Sequence, residues 1–150
     1  MRLIACALVP LALLAGGGAA AQPAPGADAW ARYPDATEIQ LRDLAAFVRV
    51  TPQNRSDIAL AIVNPGPLPD PELRIARNRL IVDGEQRRSL RGCRGEGENF
   101  SVEVGRHGRL DRTRLPLIEI RVPHEAVVSA SGAVALRMGP AHSATLSLGR

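Results

Sequence analysis

The sequence predicts an all-β fold, and three observations carry that expectation. Apolar residues recur at every second position in short segments, as in Ile58, Leu60 and Ile62, which is the period of a strand with one face buried. Proline and glycine break the chain between those segments, and no stretch keeps a helical spacing. Aromatic residues make up only 3% of the chain, so the inward positions fall to valine, leucine, isoleucine and alanine. Side chains of that size can stack above one another repeatedly, which suits a solenoid-like pile of short β rungs. A β-sandwich would show similar spacing and is the alternative.

At the N-terminus, Arg2 precedes an apolar run, Leu3 to Ala15, too short to span a bilayer. Gly16-Gly17-Gly18 breaks it, and Ala19-Ala20-Ala21 presents the small side chains a signal peptidase accepts. Residues 1–21 therefore read as a helical signal peptide, and the expected location is periplasmic, extracellular or outer-membrane associated. Leu3-Ile4-Ala5-Cys6 has lipobox letters, but the apolar run follows that cysteine instead of preceding it. Residues 22–36, rich in proline, alanine and glycine, form a linker with little to bury. Residues 37–150 are the size of one domain.

Within that domain Ile39, Leu41 and Phe47 to Val50 give the first alternations, and Thr51-Pro52 argues against a helix there. Ser56 to Val63 is the next strand. It is stopped by Asn64 to Pro71, where four prolines withhold four ladder donors. Leu73 to Ala76 and Leu80 to Val82 form a hairpin turning at Arg77-Asn78. Further strands are expected at Phe100 to Val104, Leu117 to Val122, Val127 to Ala130, Val134 to Arg137 and Ala144 to Leu148.

All nineteen basic residues are arginine, and loss of Arg2 with the signal leaves eighteen against fifteen acids. That modest excess, with few aromatics for stacking, argues against a nucleic-acid partner. The mature chain has no transmembrane span. Arg74, Arg77, Arg79, Arg87, Arg88, Arg91 and Arg94 fall close together and are the candidates for contact with an anionic polymer such as an envelope glycan. Arginines on a solvated strand edge would look the same. Cys93 is the one cysteine left after cleavage. Between Arg91-Gly92 and Arg94-Gly95 it reads as a loop thiol, open to a structural role, to a disulfide with a partner absent from this chain, or to reactivity.

The residues Ala36 to Ile39, Phe47 to Pro52 and Arg55 to Leu60, followed later by Leu115 to Pro123 and Val127 to Val134, resemble the auto-transporter adhesin head family, also called the GIN domain. The resemblance covers roughly Thr37 to Leu148 and consists of strand and turn residues without chemistry. It implies a right-handed β-helix in the bacterial envelope with an adhesive or structural role, and it brings no catalytic residues. Relatives continue through further Gly-Ser rungs where this chain reaches Arg150. The expectation is a stack truncated at the C-terminus, with an open edge through which it could associate with another protein.

A search for chemistry returns little. His107, His124 and His142 each lack a second ligand at a useful spacing, and Val128 stands where a zincin would place its second histidine. Ser131 lacks the first glycine of a nucleophile elbow. Asp57, Asp83, Asp111 and Glu119 are the carboxylates to consider for glycoside hydrolysis, and Glu96 to Asn99 for weak calcium binding, but no repeat or motif groups them. No catalytic, cofactor or metal site is expected. The function expected is a non-enzymatic, exported envelope or adhesion-related module, with a carbohydrate-binding or carbohydrate-active accessory domain as the alternative.

Overall fold

Alternation that reads as two short strands in the sequence runs through without a break. In the computed structural model, which describes residues 29–95, 99–139 and 145–149, Glu38–Gln53 is one strand of sixteen residues. The first strands in chain order are β1 (Ala31–Tyr33), β2 (Glu38–Gln53), β3 (Ile58–Asn64), β4 (Glu72–Ala76) and β5 (Arg79–Asp83). They are followed by β6 (Leu90–Arg94), β7 (Ser101–Val104), β8 (Gly108–Leu110), β9 (Leu117–Pro123), β10 (Val127–Met138) and β11 (Thr145–Gly149). The all-β expectation holds for the described residues. Residues 1–21, read in the sequence as a signal peptide, and residues 22–28 of the segment read as a linker lie outside them.

Eight strands form a curled, mixed sheet, a half-barrel in outline, with the order β1-β3-β9-β2-β10-β11 and with β5 and β4 branching from β2. The strand β2 is the spine. Its first half pairs in parallel with β5, its second half pairs in parallel with β9, and β10 runs parallel along its other side. β3 is antiparallel to β9, β1 to β3, and β4 to β5.

How far β2 curls follows from the register. Pro123 lies beside Gln53 at the end of β2, whereas Val127 lies beside Glu38 at its start. Three residues, His124 to Ala126, separate Pro123 from Val127, so the two ends of β2 lie within about 24 Å, roughly half the length of a straight strand of that size. The bend is made at one corner. There Arg42 and Asp43 together oppose Ser131, a bulge that shifts the register, and Asp43 takes a positive φ of 49°. Neighbouring strands turn at the same level, at Gly132 (φ 105°) and, just after β5, at Glu85 (φ 54°). A Cβ on Gly132 would stand 2.8 Å from the Leu44 carbonyl oxygen, and one on Gly84 2.8 Å from that of Asp43, so glycine on both sides lets the corner close. Gly84 N–H donates to the Arg42 carbonyl and Gln86 N–H to that of Asp43, each at 2.9 Å.

Two clusters fill the molecule. Inside the curl, Ile39, Leu41, Val48 and Val50 of β2 meet Leu80, Val82, Ile118, Ile120 and Val128, all essentially buried. A second cluster lies on the outer face of the same sheet, where Ala45 and Ala133 meet Val102, Val104, Leu110 and Leu115, with Phe47 packed against them. It is closed by a three-stranded antiparallel sheet, β6-β7-β8. Phe47 and Phe100 join the two sheets edge to face at 5.7 Å between ring centroids.

Several expectations change here. Val127 to Ala130 and Val134 to Arg137 belong to one strand, β10, because the bulge opposite Ser131 absorbs the irregularity between them. Cys93, read as a loop residue, is on β6 opposite Val102. Ordered pairing begins at Ala31, inside the segment read as linker, because β1 adds to β3 and the Trp30 ring is covered by the Arg121 guanidinium at 3.9 Å.

Candidate functional site

Polar residues on the outside of the curled sheet are arranged by strand register. Glu38 and Arg79, Arg42 and Asp83, and Arg49 and Glu119 are directly opposed cross-strand neighbours, and each pair is an ion pair. Arg42 Nε donates to Asp83 Oδ2 at 3.0 Å, and Arg79 Nε to Glu38 Oε2 at 2.9 Å. Asp83 is 7% exposed. Burial works to raise its pKa, but the Glu85 N–H and the Arg42 guanidinium outweigh burial and hold the carboxyl below its usual range. Asp111 is also held low, chiefly by the Thr113 hydroxyl and N–H, which donate to its Oδ1 at 2.7 and 3.0 Å.

The four carboxylates considered for hydrolysis are thus each engaged separately. Asp83 and Glu119 sit in the cross-strand ladder, Asp57 accepts from Arg55 Nε at 2.8 Å, and Asp111 closes its own turn. Ser131 stands at the corner, its hydroxyl directed to the Leu41 carbonyl at 3.5 Å. His107 ends a short 3-10 turn, Gly105–His107, and His124 is exposed in the turn after β9. His142 and Glu96 to Glu98 lie outside the described residues. Among the described residues no three histidine, cysteine or acidic side chains come together as metal ligands. No described helix is long and apolar enough to cross a membrane.

The seven arginines of the sequence cluster do not share one sheet. Arg74 and Arg79 are on β4 and β5, with Arg77 in the turn between them, at the margin of the curled sheet; Arg79 is held by Glu38. Arg87 and Arg88 occupy the turn before β6, and Arg91 and Arg94 are on β6 itself. Four further arginines, missed in the sequence because they fall beyond that cluster, join the β6 group through the fold: Arg106, Arg109, Arg112 and Arg114. The small sheet and its flanking turns therefore gather eight exposed arginines. Pairing sets their layout. Arg94 lies opposite Ser101, while Gly92 and Arg109 flank Glu103 from the two sides of β7. Arg109 reaches Glu103 at 3.5 Å. Cys93 is exposed on the same strand as Arg91 and Arg94.

Comparison with known proteins places none beside this chain: no family model matches it, and no curated protein or solved structure does.

Proposed function

We propose that this chain is a non-enzymatic, exported envelope module of the adhesin-head kind, a β-solenoid-like coil whose outer surface meets a polymer or another protein. One observation carries the reading. Residues of β10 pair in parallel with residues of β11 eighteen positions later, Val127 with Thr145 and Ala130 with Leu148. The intervening stretch Gly132 to Met138 is itself paired with β2. The chain thus returns to lie in parallel register beside its own earlier strand, as successive rungs do. The aliphatic interior fits that stacking. A carbohydrate-active reading would need two carboxylates facing one cleft, roughly 5–9.5 Å apart. Asp57, Asp83 and Glu119 face arginines instead.

The test is to express the full chain in a bacterium and fractionate it, with mass measurement of the recovered protein. Export with removal of residues 1–21 is expected. Full-length protein confined to the cytosol would refute the envelope reading.

A further inference from the structure

Charge is distributed unevenly over the fold. By sequence, residues 87–114 hold eight arginines and four acids, a net of +4; without residues 1–21, which take Arg2 with them, the rest of the chain holds ten arginines and eleven acids, a net of −1. In the structure the described residues of that segment form the three-stranded sheet and its turns. The curled sheet matches Arg42, Arg49 and Arg79 to acids by register, whereas the small sheet offers two described acids, Glu103 and Asp111, of which Asp111 is engaged by Thr113. A body of nearly balanced charge thus carries a cationic cap, and a field of one sign is retained on that side.

We infer that the outward face of the small sheet, with Arg91, Arg94 and Arg106 as its principal contacts, binds an acidic polysaccharide through carboxylate or phosphate groups. The occupant is chosen by what this face has and lacks. Guanidinium groups form bidentate hydrogen bonds with carboxylate and phosphate oxygens. The one aromatic of the segment, Phe100, is buried in the second cluster, so the face has no platform for stacking bases. The exposed large hydrophobic side chains among the described residues, Ile75 and Val127, belong to the curled sheet, so it also lacks the apolar anchors typical of a protein interface. A hydrophilic, extended polyanion fits that combination. The inference deepens the surface-module reading and rests on it only in requiring that the surface, not a cleft, meets the polymer.

The test uses the chain without residues 1–21 and, by calorimetric titration, polygalacturonate as the acidic probe, with dextran, oligothymidylate and polyglutamate beside it. Polygalacturonate should bind, with affinity falling as sodium chloride is added, and dextran should not. The triple variant Arg91→Ser, Arg94→Ser, Arg106→Ser should lose about tenfold or more in affinity, each exposed contact supplying a fraction of that. A control, Arg74→Ser with Arg77→Ser, changes arginines outside the cap and should bind as the parent does; unchanged circular dichroism and melting temperature show that both variants fold. Undiminished binding by the triple variant, equal loss in the control, or tighter binding of oligothymidylate or polyglutamate would overturn the assignment. The polysaccharide is recovered and sized afterwards: shortened chains would refute the non-enzymatic reading alone, since the position of the contact is judged by affinity.

Discussion

Asp43 and Gly132 hold neighbouring strands at the corner where the sheet turns, and their backbones cannot be replaced freely. Gly132 has φ 105° and a carbonyl oxygen 2.8 Å from where a Cβ would stand. Gly132→Ala is therefore expected to cost about 2–3 kcal/mol of unfolding free energy, measured from denaturant midpoints at constant m. Asp83 gives a different effect. Asp83→Asn keeps an acceptor for the Glu85 N–H but removes the charge opposite Arg42; because the arginine side chain is 41% exposed, the expected loss at neutral pH is only about 1 kcal/mol. Its sign with pH follows from the lowered carboxyl. A folded pKa below the unfolded one adds stability that is fully present above the unfolded value, near 4, and is lost as pH falls through the folded value. The parent should accordingly lose stability below about pH 4 more steeply than Asp83→Asn, and melting curves collected down the acid range would show the two converging.

The strand β2 owes its length to being buried along both faces over part of its course. Ile39, Leu41, Leu44, Ala46, Val48 and Val50 point into the curl, whereas Ala45 and Phe47 point outward beneath the small sheet. That is why Leu44-Ala45-Ala46-Phe47-Val48 departs from simple alternation in the sequence. Alanine at 45 and 133 lets the small sheet approach closely, and larger side chains should force it away. Ala133, 3% exposed, changed to leucine is expected to destabilise by about 1–3 kcal/mol through overpacking, whereas Ile120→Ala, inside the curl, should cost about 2–5 kcal/mol through the cavity it leaves. Thermal unfolding of both variants checks the pair. The strand β6 was not legible beforehand, since Arg91-Gly92-Cys93-Arg94 has the composition of a loop. Pairing with β7 orders it regardless, because Val102 and Val104 bury their own face and carry β6 as their neighbour.

With β9 or β5 on one side and β10 on the other, β2 is the innermost strand of the molecule, and its amides between Ile39 and Val50 should exchange most slowly with solvent, while those of β1 and β4 exchange first. Hydrogen exchange resolved by residue tests this, and faster exchange in β2 than in β4 would contradict it. The partners of β2 come from residues 79–83, 117–123 and 127–138, far along the chain. That distance separates what local pattern dictates from what folding adds. The all-β class, the stop at Asn64 to Pro71, the hairpin at Arg77-Asn78 and the strand at Leu117 to Val122 were all legible, because period-two burial and withheld donors act over a few neighbouring residues. The curl of β2, the joining of β10 into one strand and the opposition of Arg49 to Glu119 were not. Each depends on which distant strand becomes the neighbour, and a chain encodes that choice only through the total packing of its core.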